Sequence, residues 1–409
     1  MDFLNGNIKT LYFKYLAAAF GSALITSIYS IVDMAMVGQY HGPEGAAALA
    51  VVAPVWNIIY SLGLLMGIGG SVLFGTIRGK EEQGVKRSNE YFTLSIAGAV
   101  VLALAAWLRN DGNPGRATAG VLSGGIFNIF GDYFFVFVCD MGAFGAGLAT
   151  AIGTVISILV MASHFLSKKN TLRLVRPSRP VRQMKDICVT GFSTFFIDIA
   201  MGILTILFNR QIMTYLGTSA LSVYGVIVNV STFVQCCAYS VGQASQPIFS
   251  TNFGAGKGER IRETLKYALG TTTFFGIFWV LLCMAIPNQF IRIFMSPTEE
   301  VLRIAPGIIR CYGLSFLLLP LNIFSTYYFQ AVMKPQAAFV VSISRGLVIS
   351  GILILLLPAT AGADSIWLAM PFTERVTAVY VVSMIVRYTR RLPGQGKRKE
   401  VLKEAQGMS

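Results

Sequence analysis

Acidic residues and histidines are scarce in this chain: 19 Asp and Glu stand against 33 Lys and Arg, with two histidines, among 409 residues. His41 and His164 are too few to build a metal cage. The six cysteines (Cys139, Cys188, Cys236, Cys237, Cys283, Cys311) include no CxxC or CxxxC spacing, which excludes zinc ribbons and thiol-redox motifs. Most sit inside apolar runs, where a thiol packs as a small hydrophobe. No cluster of acids or histidines stands at a loop boundary, as a membrane enzyme would require. No soluble domain is recognisable, and no cleavable signal peptide is evident, because the first apolar run continues through Asp33 without a small-residue cleavage site.

What remains is hydrocarbon. Apolar residues make up 54% and charged residues 13%, and the mean hydropathy is +0.64, the composition of a polytopic helical membrane protein. The net charge of +14 would suit a nucleic-acid binder, but the basic residues lie between hydrophobic runs, without aromatic interleaving, so no nucleic-acid partner is expected. At about 20 apolar residues per crossing, the chain divides into eleven spans, one of them at 90–108. Lys and Arg concentrate in loops 78–87, 168–185 and 257–266 and in the tail after Arg387, whereas the turns near 39–45, 139–142, 216–219 and 359–364 have none. The positive-inside rule therefore places both termini and the basic loops in the cytoplasm of a cell with the protein in its inner (plasma) membrane.

Two independent patterns disagree with a simple count. Gly79-Lys80 recurs as Gly256-Lys257, an offset of about 177 residues, while Asn113-Pro114 recurs as Lys334-Pro335, an offset of about 221. The chain reads as two copies of one unit, with roughly 44 residues missing from the first. Charge points to the same place: if 90–108 crosses once, the strongly basic loop 168–185 falls on the wrong side of the membrane. The loss is expected to include one whole crossing upstream of Arg109, unless 90–108 does not span. The organisation expected is an N-terminal bundle over 1–167 with about five helices and a basic linker over 168–186. A six-helix bundle over 187–387 and a basic tail over 388–409 follow, the two pseudo-symmetric bundles facing a central cavity.

Several passages, taken in order, resemble the multidrug and toxic compound extrusion (MATE) family: Val32-Asp33-Met34-Ala35-Met36-Val37-Gly38, then Arg109-Asn110-Asp111-Gly112-Asn113-Pro114 with Asn128-Ile129-Phe130-Gly131-Asp132. Gly242-Gln243-Ala244-Ser245-Gln246-Pro247, Phe329-Gln330-Ala331 and Trp367-Leu368-Ala369-Met370-Pro371 extend the resemblance over nearly the whole chain. It implies a two-lobe secondary transporter, not an enzyme, that exports small cationic or amphipathic organic compounds in exchange for Na⁺ or H⁺, without a cofactor. The departure from the family pattern, most of a fourth helix, bears on whether the chain transports at all. A flippase for a lipid-linked oligosaccharide, from a superfamily of similar fold, is the alternative; it would want a cavity rich in Arg and Lys for phosphates.

Intramembrane acids are costly and usually face a cavity or a partner. Asp132 is the leading candidate, since Asn128 lies four residues earlier on the same helix face. The resemblance groups Asp33, Asn128, Asp132 and Thr150 as an ion- or proton-binding cluster, with any Na⁺ at Asp33, Asn128 and Asp132. The alternative is an acid that only hydrogen-bonds neighbouring helices. Asp198, Gln243, Gln246 and Asn322 are candidates for the substrate cavity, though amides inside a span also serve as interhelical glue. Arg345 and Glu374 read as a structural ion pair, and a monomer is expected.

Overall fold

The computed structural model describes residues 3–80, 85–98, 104–295 and 297–392, without the side chains of 30, 34, 35, 38–57 and 198. Among the described residues every element is helical, and ten helical stretches are long and apolar enough to cross a membrane. The first element, α1 (Ile8–Lys80), is assigned as one helix of 73 residues. Straight, it would be about 110 Å long. Yet its ends meet: the Phe3 carbonyl accepts from Asn252 at 3.1 Å, and Gly79 lies against the Thr251 carbonyl. The element therefore doubles back, giving two spans, Ile8–Asp33 and Ile58–Lys80.

The expected crossing at 90–108 does not form. Its described residues fall in two short helices, α2 (Val85–Gly98, 14 residues) and α3 (Leu104–Asn110, seven residues). At about 1.5 Å per residue neither reaches across about 30 Å of hydrocarbon. They run antiparallel: Phe92 and Trp107 rings pack 5.1 Å apart, and at the other end Arg78 reaches both Ser88 (3.4 Å) and Asp111 (3.2 Å). The segment enters from the basic face and returns to it. Loops 78–87, 109–116 and 168–185 thus share one face. The conflict between charge and span count is resolved by a re-entrant pair, not by one missing crossing. In the second half the corresponding stretch makes two full crossings, Gly258–Ala285 and Glu299–Ala331. Relative to the second half, the first half is short by the far ends of two helices, with four crossings plus the hairpin among its described residues.

The duplication survives in backbone geometry. Before α4 (Pro114–Asp132), Asn113 N donates to Leu108 O at 2.9 Å and Gly112 N to Arg109 O at 3.2 Å. Before the helix Pro335–Ile343, Lys334 N donates to Phe329 O at 2.8 Å and Met333 N to Gln330 O at 3.0 Å. These paired bonds close helix C-termini through one left-handed residue. Gly112 takes that conformation freely (φ 81°), whereas Met333 adopts it (φ 57°) against its Cβ. Proline opens both following helices, and Asn113 caps α4 by accepting from Arg116 N at 3.3 Å. After α5 (Gly142–Ala162), six crossings follow, starting with α6 (Pro180–Tyr215), α7 (Gly217–Gly254) and α8 (Gly258–Ala285).

The linker between bundles is strapped onto the hairpin. Arg173 N donates to Asn89 Oδ1 (3.3 Å), Val175 N to Thr93 Oγ1 (2.9 Å) and Thr171 N to Asp111 Oδ2 (3.0 Å). Ser178 Oγ donates to Glu90 at 2.7 Å and Gln183 donates to the same carboxylate oxygen. Burial works to raise the Glu90 pKa, but the Ser178 and Gln183 hydrogen bonds and Lys86 outweigh it and hold the carboxyl below its usual range.

On the basic side the bundles meet backbone to backbone. A Cβ on Gly69 would lie 2.3 Å from Ile187 O, one on Gly191 2.1 Å from Leu65 O, and ones on Gly79 and Gly254 1.9 Å from Thr251 O and Thr76 O. Only glycine allows α1 to approach α6 and α7 this closely.

Candidate functional site

The structure brings together the four polar residues of the first bundle. Asp33, on the first span of α1, faces Asp132 and Asn128 on α4 and Thr150 on α5. Asn128 Nδ2 donates to Thr150 Oγ1 at 3.1 Å, and Thr150 Oγ1 donates to Ala146 O at 3.1 Å, so the hydroxyl's proton and one of the amide's two protons are already used. Asn128 Oδ1, both carboxyl oxygens of Asp132 and Oδ1 of Asp33 are buried without any donor. Four buried acceptor oxygens left without a hydrogen-bond partner are an expensive arrangement in hydrocarbon. An oxygen-only set suits a hard cation or a proton shared by the two carboxyls. Among the described residues no group of three or more His, Cys, Asp or Glu could hold a metal ion, so a cation here would be bound by two carboxylates and neutral oxygens.

Asn128 and Thr150 also line a cavity of about 330 Å³ between the bundles. Gln243 and Gln246 of α7 line its opposite wall, with Gln246 Nε2 donating to Ser71 Oγ at 3.3 Å. Tyr239 reaches the cavity wall, while Tyr224, Tyr327 and Tyr328 are buried in helix packing. Asn322 does not join the cavity walls. It is fully buried and donates through Nδ2 to Glu374 Oε2 (2.6 Å) and Glu374 O (2.9 Å). Glu374 also receives Arg345 Nε at 2.6 Å, the two side chains 0% and 2% exposed. These three residues form a neutral network inside the second bundle, with Asn322 Oδ1 and one Arg345 terminal nitrogen left without a partner. The side chain of Asp198 lies outside the described residues.

One cavity residue was missed from sequence. Arg109 counts among the basic loop residues by charge, but α3 carries it inside, where it lines the cavity floor as the single charged residue among the described ones. The flippase alternative, which wants several cations for phosphates, meets one.

The model of the MatE family matches residues 18–111 and 194–356, well over half of the chain, in two segments that start 176 residues apart (194 less 18). Multidrug export protein MepA of Staphylococcus saprophyticus is 22% identical over 418 residues, covering 90% of this chain and 91% of the relative. MepA of Staphylococcus aureus is 21% identical at the same coverage. A solved structure described as the outward-facing conformation of a multidrug resistance MATE family transporter superposes with a TM-score of 0.85 at 18% identity, covering 95% of this chain and 98% of that one. A transporter of the MOP superfamily from Pyrococcus furiosus, described as having a binding pocket of reversed polarity, superposes with a TM-score of 0.83 at 18% identity, again covering 95% and 98%. With the family model covering both halves and the fold spanning the same helices, the chain belongs to the MatE family of multi-pass membrane transporters and is not an enzyme.

Proposed function

We propose that the protein is a secondary active exporter that exchanges cationic or amphipathic organic compounds for H⁺ or Na⁺ by alternating access. The observation that carries this reading is the buried carboxyl pair Asp33 and Asp132, three of whose four oxygens lack a donor and whose neighbours Asn128 and Thr150 line the inter-bundle cavity. When the coupling ion occupies the pair, the cluster is neutral; when it leaves, negative charge appears beside the cavity and favours a cation there. Ion and substrate then exclude one another, and exclusion with alternating access is antiport. The names of the multidrug export relatives support a drug-like organic cargo. The basic face is cytoplasmic, with both described chain ends there, in the plasma membrane. Contact of Gly79 with Thr251 and of Gly254 with Thr76 on that face makes this an outward-facing arrangement, and a monomer contains the whole site.

The test is efflux of ethidium from proteoliposomes driven by an imposed proton or Na⁺ gradient. Asp132→Asn is expected to abolish the gradient-driven component while Asn128→Ala weakens it. Gradient-driven efflux that is unchanged in Asp132→Asn would sink the assignment.

A further inference from the structure

Arg109 is 7% exposed, and it lines the cavity floor. Its Nε is buried without an acceptor, and among the described residues no Asp or Glu forms an ion pair with it. The neighbouring acid, Asp111, is committed elsewhere: it accepts from Arg78 (3.2 Å), Thr171 N (3.0 Å) and His164 Nε2 (2.8 Å). The ionisable groups nearest Arg109 are the neutral phenols of Tyr327, Tyr60 and Tyr15, none of which neutralises a guanidinium. Tyr15 spends its own hydroxyl on the Arg109 carbonyl, at 3.0 Å, which fixes the backbone and leaves the side chain without a counter-charge.

The other buried arginine shows what a structural role looks like in this protein. Arg345 has Glu374 at 2.6 Å. The internal repeat supplies a second contrast, because the offset of about 221 residues places Gln330 where Arg109 stands. Gln330 is fully buried and donates to Thr194 at 2.9 Å, away from the cavity. The first copy alone directs a cation at the space between bundles. An unpaired buried guanidinium is costly, and the cost is recovered when a planar anion takes its donors.

We propose that Arg109 is a specificity-determining residue that anchors the carboxylate of an organic substrate on the cavity floor. One guanidinium matches one carboxylate through two parallel hydrogen bonds. A lipid pyrophosphate would need several cations, and among the described residues the lining provides one. Together with the Asp33–Asp132 pair beyond Asn128 and Thr150, the cavity is negative at one end and positive at the other. It therefore accepts an aromatic acid, and a compound with a carboxylate at one end and an amine at the other spans both. This rests on the exporter reading but is tested by binding alone.

The experiment is equilibrium dialysis of the purified full-length chain against radiolabelled 2-naphthoate, its methyl ester and tetraphenylphosphonium. Wild type is expected to bind 2-naphthoate saturably and about 10-fold or more tighter than the ester, as a charge-assisted contact requires. Arg109→Gln should weaken 2-naphthoate by about 10- to 100-fold and tighten tetraphenylphosphonium, because removing a positive charge acts oppositely on the two probes. A packing defect would weaken both. Equal affinity for acid and ester in wild type, or parallel losses for both probes in Arg109→Gln, overturns the proposal. Arg109→Lys, which keeps charge without the planar fork, should give an intermediate loss for the acid and decides the matter if Arg109→Gln does not fold. Gradient-driven ethidium efflux that persists while acid binding fails would refute the carboxylate site and leave the exporter reading standing; failed efflux with intact acid binding would do the reverse.

Discussion

Replacing Gly254 with alanine is expected to open the basic side of the molecule. The added Cβ would sit 1.9 Å from the Thr76 carbonyl oxygen and 3.1 Å from Lys80 N. Ordinary contact needs about 3.4 Å or more, so α1 and α7 must separate locally by roughly 1.5 Å. Both obstructing atoms are backbone, so no rotamer change relieves the clash. Overpacking of this kind costs about 1–3 kcal/mol. The penalty applies only while the two bundles touch here, so it falls on the closed state alone and shifts the ratio of closed to open by about 5- to 150-fold. Lys80 and Glu259 are exposed on either side of the contact and accept spin labels in a chain whose accessible Cys139, Cys188 and Cys311 are changed to serine. Pulsed electron resonance should show a short inter-label distance in the parent and a longer population in Gly254→Ala. A single short distance in both would refute the idea that this glycine contact holds the basic side shut.

Other consequences follow from buried groups. Arg345→Met strands Glu374 and Asn322 in the second bundle and should cost about 3–5 kcal/mol, read as a fall in the thermal unfolding midpoint; the double variant Arg345→Met/Glu374→Leu should recover most of it. The strap on the hairpin is pH-dependent in a defined sense. Hydrogen bonds from Ser178 and Gln183 hold the Glu90 pKa low against burial, so the strap is fully held above the ordinary carboxylate pKa and loosens only as pH falls through the depressed value. A spin label on Arg176→Cys should stay immobile from neutral pH down to that range and then gain mobility; in Glu90→Gln the acid step should vanish.

Much of this arrangement was legible in the residues. Asn128 and Asp132, four apart on a helix, had to share a face, and the loop after 109 announced its glycine turn and proline start. The hairpin was not legible, because nineteen mostly apolar residues have the same hydropathy whether they cross or fold back on themselves. What settles it is a tertiary fact, Arg78 reaching Ser88 and Asp111 at once. Arg109 was hidden for a related reason: a seven-residue helix is too short to show periodicity, so its charge was counted with the loop. The repeat held the clue, since Gln330, its counterpart, lies within a hydrophobic span. Asn322 illustrates the remaining gap. Nothing along the chain says that its partner would be Glu374, on a helix 52 residues away.

The re-entrant pair has a consequence for parity. Losing one whole crossing would invert every later helix, putting the basic linker and tail outside and the Arg345–Glu374 network upside down. Losing the far ends of two consecutive helices changes the number of crossings by two, and an even change leaves the orientation of everything downstream as it was. The second bundle therefore inserts as though its partner were complete, and the shortening is confined to the bundle that carries it.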